Sequence, residues 1–268
     1  MKLAIHQPHY LPWLGYLAKW AAADCFVFLD TVQYEKNGWQ NRNRIKTRDG
    51  ARWLTVPVHA RLGAPIRDVE VDAGQPWQAR HLRTIEQAYT AAPHLARHHA
   101  DLERFYAGEW PRLDELAVAS AAWLARAMGL RVPARRASEL EARVGVRSRG
   151  PFDGRGEPAR GVRSRGPFDG RGEPAAIDPT DRLVALCRAV GADTYLAGRG
   201  GARYMDPERF RAAGIRVLYQ AYTHPVYTQL HGEFVPSLSA LDLLLMHGDE
   251  SLGILRRGDR WSPEPPGD

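Results

Sequence analysis

The sequence predicts an α/β fold, with a parallel or mixed sheet flanked by helices and a helical segment in the middle of the chain. Three observations support this expectation. Strand and helix patterns alternate over residues 2–29, apolar residues recur at helical spacing between residues 77 and 130, and helix and strand alternate again after residue 178. The chain has 268 residues, 44% of them hydrophobic, which suffices for a core of ordinary size in one or two domains.

The amino-terminal segment predicts a β-α-β unit. Residues 2–5 have the pattern of a short strand, residues 14–23 that of a helix, and residues 25–29 (CFVFL) that of a strand buried on both faces. Two further strands are predicted at residues 53–58 and 66–71, with a turn between them at residues 61–64. In the helical middle, one apolar stripe comprises Leu113, Leu116, Ala117, Ser120, Ala121, Leu124 and Met128.

Start and stop signals divide the carboxyl-terminal part into further elements. Asp178 precedes a predicted helix that Gly191 ends, and Ser239 precedes another that Gly248 ends. Strands are predicted at residues 194–197 and 215–219, and a helix is predicted between them at residues 207–213. Residues 256–268 are expected to form a loose tail.

Residues 143–175 contain a near-tandem repeat of GVRSRGPFDGRGEPA, rich in Gly, Pro, Arg and Ser. The segment has no strand or helix period and too few apolar side chains to offset the entropy of ordering it. We therefore expect a disordered insertion between region 1–142 and region 176–268, which completes the same fold. The alternative is an arginine-rich arm that binds RNA or another polyanion.

The basic character of the chain is concentrated in this insertion. The net charge is +6, and eight Arg less four acidic residues give residues 143–175 a net +4, leaving +2 elsewhere. A small-molecule partner is therefore favoured over nucleic acid. Two cysteines without metal-ligand spacing make neither a disulfide framework nor a zinc site, and no apolar run is long enough to span a membrane. The expected location is the cytoplasm.

The first candidate site cluster is IHQPHYLPWLGY, which directly follows the first predicted strand. In a parallel sheet this position lies at the carboxyl edge, where ligands generally bind. His6, Gln7, His9 and Tyr10 are its candidate ligand contacts, and prolines stiffen the backbone between them. A turn whose histidines form only local hydrogen bonds is the alternative. A metal site is not expected, because no third ligand lies nearby.

The second cluster is DTVQYEKNGWQNRNRIK, directly after the buried strand. Asp30 lies where it would accept a proton or orient a ligand hydroxyl. The cations suit a phosphate or carboxylate, the amides suit hydroxyls, and the indole suits a sugar or base. These candidates are Gln33, Lys36, Trp39, Asn41, Arg42 and Lys46. The alternative interpretation is a solvated loop.

Two weaker clusters lie in the second half of the chain. AGRGGARYMD is a glycine-rich turn with Gly198 and Tyr204 as candidates, although it has neither a dinucleotide-binding nor a Walker spacing. YTHPVYTQLHGEF contains Tyr227 and Gln229 and repeats the mixture of His, Tyr, Gln and Pro found near the amino terminus. We expect these linings to face one cleft.

The chain resembles the WbqC-like family of bacterial proteins. The resemblance rests on IHQPHYLPWLGYLAKWAAADCFVFLDTVQYEKNGWQNRNRIKTRDGARWLTVPV, on TYLAGRGGARYMD and on HPVYTQLHGEFVPSLSALDLLLMHG, which cover most of the chain outside the repeat. It implies a role in O-antigen or other surface-polysaccharide synthesis, with glycine transfer to a sugar suggested for some members. It also implies ligand contact by His6, Gln7, His9, Tyr10, Asp30, Gln33, Lys36, Trp39, Asn41, Arg42, Lys46, Gly198, Tyr204, Tyr227 and Gln229.

A looser likeness, to nucleotidyltransferase-like (Rossmann-like) proteins, concerns the amino-terminal half. Their paired histidines steady phosphates, and H-Q-P-H here keeps the interval of their H-x-G-H with proline in place of glycine. This likeness is an analogy of fold, and it makes ATP or another nucleotide a candidate cofactor.

The leading hypothesis is an enzyme that transfers an acyl or aminoacyl group to an amine or hydroxyl of a sugar or related small molecule. His6 or His9 would be the general base, Asp30 its orienting partner or the alternative base, and Lys36 a phosphate or carboxylate contact. The alternatives are a non-catalytic nucleotide or nucleotide-sugar binding module and an ATP-dependent amide ligase. The identity of the donor (ATP, an acyl thioester or a charged tRNA) and the oligomeric state stay open.

Overall fold

The computed structural model of the protein describes residues 1–144 and 177–265. Its strands are β1 (Lys2–His6), β2 (Cys25–Phe28), β3 (Arg42–Thr47), β4 (Gly50–Thr55), β5 (Val58–His59), β6 (Glu70–Val71), β7 (Ala134–Arg136), β8 (Thr194–Ala197), β9 (Arg216–Gln220) and β10 (Trp261–Ser262). Its α-helices are α1 (Leu14–Ala21), α2 (Trp77–Tyr89), α3 (Leu95–Ala107), α4 (Leu113–Ala127), α5 (Ala137–Val144), α6 (Pro179–Ala189), α7 (Pro207–Ala212), α8 (Ala240–His247) and α9 (Ser251–Arg257). Short 3₁₀ helices lie at Ile66–Asp68, Arg199–Arg203 and Gly248–Glu250.

A mixed, mostly parallel sheet organises the fold and confirms the expected α/β class. Its strand order is β10-β9-β8-β1-β2-β7, with β10 antiparallel to β9 and the other neighbours parallel. From β1 the chain proceeds outward through β2 to β7, and then crosses back to β8 and β9 on the other side. The order therefore reverses between β1 and β8, as in doubly wound Rossmann-like sheets.

Helices cover both faces of this sheet, because successive strand residues point to opposite sides. Ala4 and Phe26 enter a core cluster shared with α1, α2, α3, α4, α8 and α9. Leu3 and Val27 enter a second cluster shared with α5, α6 and α7. The predicted apolar stripe of α4 is confirmed, since all seven residues assigned to the stripe are buried.

Several local predictions need correction. The strand expected at 53–58 divides into β4 and β5, because Pro57 has no N–H to donate to a ladder. The strand expected at 66–71 begins as a 3₁₀ helix and is extended only in β6. The polar stretch for which no strand was expected forms β3, which pairs antiparallel with β4 through the turn at Gly50 (φ +94°).

The carboxyl-terminal residues expected to be a loose tail are also ordered in part. Arg256 and Arg257 end α9, and β10 extends the central sheet by pairing with β9. The side chain of Trp261 donates a hydrogen bond to Asp259 Oδ2 at 2.8 Å.

The repeat insertion expected to be disordered lies mostly outside the described residues, which stop at 144 and resume at 177. The regions on either side of it share the central sheet, where β8 pairs with β1. Within the described residues, no helix combines the length and apolar character needed to cross a bilayer.

Leu124→Ala is expected to lower the free energy of unfolding by about 2–5 kcal/mol, because it leaves a cavity in a fully buried part of α4. Urea unfolding measures the change. The control is Arg126→Ala, which alters an exposed position of the same helix and should change stability by less than about 0.5 kcal/mol. Equal losses in the two variants would contradict the assigned packing of α4.

Candidate functional site

A pocket of about 730 Å³ opens at the carboxyl ends of β1, β2 and β8, beside the reversal of strand order. This is the position at which doubly wound sheets bind ligands. Its described lining residues are Ile5, His6, Gln7, Lys19, Leu29, Val32, Gln33, Glu35, Trp39, Pro179, Arg182, Leu183, Tyr195, Gly198, Gly200, Gly201, Arg203 and Tyr204. Six of the residues proposed from the sequence are among them: His6, Gln7, Gln33, Trp39, Gly198 and Tyr204.

Two histidines lie against each other at the end of β1. The ring centroids of His6 and His9 are 4.7 Å apart, and the ring of Tyr16 from α1 packs on both, at 4.6 and 5.2 Å. His6 lines the pocket, whereas His9 is only 7% exposed. Burial lowers the pKa of His6 well below its ordinary value and that of His9 to about 3. Both imidazoles are therefore neutral near pH 7.

Lys19 is a site residue that the sequence interpretation missed. Its side chain is buried, with 3% exposure, and its ammonium donates a 2.7 Å hydrogen bond to the carbonyl of Ile5 in β1. A Cβ placed on Gly198 would lie 3.7 Å from the Lys19 nitrogen, so the amine faces the loop that follows β8. Burial lowers the pKa of Lys19 to about 7. The available signal was a single charge within the apolar helix LGYLAKWA.

Several buried polar atoms in and beside the pocket have no hydrogen-bond partner among the described residues. They are His9 Nδ1, Gln33 Oε1, Gln40 Oε1 and Arg182 Nε. Gln40 also donates from Nε2 to Gln7 Oε1 at 2.8 Å, which ties the second polar segment to the first. Other unpartnered buried atoms lie away from the pocket, for example His98 Nε2 and Trp123 Nε1, so only Gln33 Oε1 and Arg182 Nε, which belong to lining residues, bear on ligand binding.

Aromatic rings stand at the edge of the pocket. Trp39 is 40% exposed and its ring centroid lies 5.4 Å from that of Trp53, which is 42% exposed. The guanidinium of Arg42 lies 4.3 Å from the centroid of Trp53. Exposed indoles beside a polar pocket suit a flat apolar face of a ligand, such as a sugar ring or a base.

Asp30 has a different set of contacts from the one expected for a catalytic carboxylate. It is fully buried and accepts hydrogen bonds from Ser138 N at 2.9 Å and Ser138 Oγ at 2.6 Å. Arg136 lies 4.0 Å away. Asp30 thus joins the end of β2 to the beginning of α5, and no hydrogen bond joins it to His6 or His9 in the described structure.

The cations of the second cluster also lie elsewhere. Lys36 is exposed and is not among the described residues of the pocket lining. Arg42 packs on Trp53 and donates to the carbonyls of Asn37 and Gly38. Lys46 is 1% exposed and donates to Gln229 Oε1 at 3.3 Å and to the carbonyls of Gly232 and Glu233.

The remaining predicted contacts belong to buried polar networks. Tyr10 hydrogen-bonds Tyr106 and His81, and Asn41 donates to the carbonyl of Val56 at 2.8 Å. Tyr227 donates to Asp242 Oδ2 at 2.9 Å, and Gln229 donates to Tyr227 at 3.3 Å. The segment around Tyr227, expected to face the same cleft as the amino-terminal cluster, packs instead against α8, outside the described pocket lining.

The described residues contain no group of three or more His, Cys, Asp or Glu side chains arranged to hold a metal ion. Both cysteines in this part of the chain, Cys25 and Cys187, are buried and free. Burial raises the pKa of each thiol, the opposite of what a reactive thiolate requires.

Comparison with known proteins places most of the chain in one family. The model of the WbqC-like protein family matches residues 7–254. An uncharacterised protein of Mycobacterium tuberculosis, Rv1507c, is 33% identical over 258 residues, which covers 95% of this chain and 97% of that protein. No solved structure matches significantly. The family match includes all of the predicted site residues except His6.

Lys19→Met is expected to raise the melting temperature near neutral pH, because it removes a buried amine. The pKa of Lys19 rises from about 7 in the folded protein to an ordinary 10.5 on unfolding, so the unfolded chain binds more protons between these values. Burial of the Lys19 amine therefore destabilises the wild-type protein fully below about pH 7, and this destabilisation disappears as the pH approaches 10.5. Thermal unfolding across this range should therefore show the gain shrinking with pH. A gain independent of pH would contradict the buried amine.

Asp30→Asn is expected to lower the free energy of unfolding by about 1–3 kcal/mol, since it weakens two buried charge-assisted hydrogen bonds. A double-mutant cycle with Ser138→Ala should give a coupling energy of about 1 kcal/mol. The control is Asp68→Asn, whose side chain is 57% exposed. Unchanged stability in Asp30→Asn would return Asp30 to the list of candidate catalytic groups.

Proposed function

The chain belongs to the WbqC-like family, and we propose that it is an enzyme that transfers an acyl or aminoacyl group, such as glycyl, to an amine or hydroxyl of a small molecule. The favoured acceptor is a sugar or a related compound, in surface-polysaccharide or natural-product biosynthesis. The observation that carries the proposal is the pair of histidine rings in contact at the carboxyl end of β1, one of which lines the pocket.

His6 is the general base of this proposal. Its Nδ1 lies 3.2 Å from the carbonyl oxygen of Gln7. In the tautomer in which Nδ1–H donates to that oxygen, Nε2 keeps a lone pair that accepts the proton of an attacking amine or hydroxyl. Because burial keeps the imidazole neutral, the base is present in its accepting form down to acidic pH.

His9 is in edge-on ring contact with His6. Its ring stands nearly perpendicular to that of His6, at 81°, and a positive charge on either ring would oppose a charge on the other. Asp30 is not assigned the orienting role, because its carboxylate accepts from Ser138. Lys36 is not assigned a catalytic role, because it is not among the described residues of the pocket lining.

The side chains around His6 suit an acceptor with hydroxyl groups. Gln7 and Gln33 line the pocket with amides, and Gln33 Oε1 is a buried acceptor without a partner among the described residues. Trp39 and Tyr204, which are 40% and 38% exposed, offer ring faces at the same pocket. Amides that exchange hydrogen bonds with hydroxyls, together with aromatic faces, are typical of carbohydrate recognition.

His6→Gln is expected to reduce turnover by about 10²–10⁴-fold, because it removes the proton acceptor while preserving a polar side chain. Amino sugars and aminodeoxy nucleotide sugars would be incubated with glycine and ATP or with acyl thioesters, and products followed by mass spectrometry. His59→Ala is the matched control, since the His59 side chain is 69% exposed and lies outside the described lining.

Equal turnover by wild-type protein and His6→Gln would refute the assigned base. Binding of a nucleotide or nucleotide sugar with no turnover of any donor would instead support a binding module, which the cationic pocket also suits. Measuring melting temperature with each ligand alongside product formation separates these two outcomes.

A further inference from the structure

We propose that Lys19, together with Arg182, holds a phosphate or diphosphate group of the ligand in the crevice between β1 and β8. This inference depends on the proposed function only in that both concern the same pocket. It names a chemical class for the ligand, whichever group is transferred. Neither of these two residues was among the contacts proposed from the sequence.

The first argument is that the buried amine of Lys19 has no counter-ion. Among the described residues, Ile5 O is the hydrogen-bond acceptor of its ammonium group, and no carboxylate lies within ion-pair distance. A buried ammonium has three donors and requires compensation for its lost hydration. A ligand that brings negative charge would supply both the missing acceptors and the missing counter-charge.

The second argument is that Arg182 presents a buried guanidinium to the same pocket. It is 7% exposed and forms an ion pair with Glu141, whose Oε1 lies 3.6 Å from the Arg182 Nε, while this Nε has no hydrogen-bond partner among the described residues. Arginine suits phosphate oxygens because its donors form a planar fork. Arg182 extends from α6 and Lys19 from α1, so the two cations reach the pocket from opposite faces of the sheet.

The balance of charge along the lining favours an anion. Lys19 when protonated, Arg182 and Arg203 are the cations of the described lining residues, among which Glu35 is the single acidic residue, while Arg182 is also paired with Glu141 outside that lining. His6 is neutral near pH 7 and adds no charge of either sign. A phosphate monoester carries a charge of about −1.5 to −2 and three acceptor oxygens, which matches two cations better than one carboxylate does.

Binding of such a group has a consequence for protons. The pKa of Lys19 is about 7 in the protein alone, so about one pH unit above that value the amine is mostly neutral. An adjacent phosphate favours the ammonium form, and Lys19 then takes up nearly one proton as the ligand binds. The titratable or charged groups that face it from the surrounding elements are His6, His9, Glu35, Arg182, Tyr195, Arg203 and Tyr204.

The test is isothermal titration calorimetry of the full chain with uridine diphosphate, ATP and coenzyme A, about one pH unit above the pKa of Lys19. Each titration is repeated in buffers of different ionisation enthalpy to count protons. The three probes distinguish a nucleotide-sugar, an adenylating and a thioester ligand. Uridine and adenosine serve as the matched compounds without phosphate.

At least one phosphate-bearing probe is expected to bind with uptake of nearly one proton. Lys19→Met should raise its Kd by about 10-fold or more and abolish the uptake. Lys19→Arg should retain binding without the uptake, because a guanidinium does not titrate in this range. Lys2→Met, at the exposed opposite end of β1, is the control and should match the wild type.

Three outcomes would overturn the proposal: no binding by any phosphate-bearing probe, equal binding by the nucleosides, or unchanged Kd and proton uptake in Lys19→Met. Circular dichroism and thermal unfolding of each variant confirm that it is folded. Because binding is measured without turnover, failure of the transferase proposal would leave this result standing, and the reverse also holds.

Discussion

The reversal of strand order between β1 and β8 is the constraint on which the site depends. After β1 the chain crosses through α1 on one face of the sheet, whereas after β8 it crosses through α7 on the other. The two connections therefore leave the carboxyl ends of these adjacent strands in opposite directions, and a crevice opens between them. His6 and Gly198 lie at this crevice because each ends or follows one of the two strands.

Buried polar groups in this protein fall into two kinds. Many are bonded within the protein: Tyr89 and Tyr227 both donate to Asp242, and Lys46 donates to the backbone carbonyl of Gly232. Others have no hydrogen-bond partner among the described residues, both in the pocket lining, at Gln33 Oε1 and Arg182 Nε, and away from it, as at His98 Nε2 and Trp123 Nε1. Desolvated polar groups destabilise a fold unless something satisfies them, and only the two in the pocket lining are placed where a ligand in the pocket would do so.

Secondary-structure elements could be predicted from local sequence patterns, whereas contacts between distant segments of the chain could not. The β-α-β unit and the α4 stripe follow from hydrophobic period, and the Asp178 cap follows from its own side chain, which accepts from Thr180 N. Lys46, by contrast, looked like a ligand contact because it lies in a polar stretch, yet its partners Gln229 and Glu233 are more than 180 residues away in the chain. The sequence cannot distinguish a polar residue that binds a ligand from one that binds another segment. Lys19 could not be identified as a site residue from the sequence, because the apolar pattern of its helix predicts a core element.

Electrostatic coupling links the two proposals for the site. The charge of Lys19 contributes to lowering the pKa of both His6 and His9, after the larger effect of burial. An anion bound beside Lys19 would offset that charge, but burial, the largest cause of the lowered pKa of His6, would remain. Because the proposed ligand also brings Lys19 its proton, the new positive charge and the negative charge of the anion oppose each other at His6. His6 is therefore expected to stay neutral in the complex, where it would be in the form that accepts a proton from the acceptor substrate.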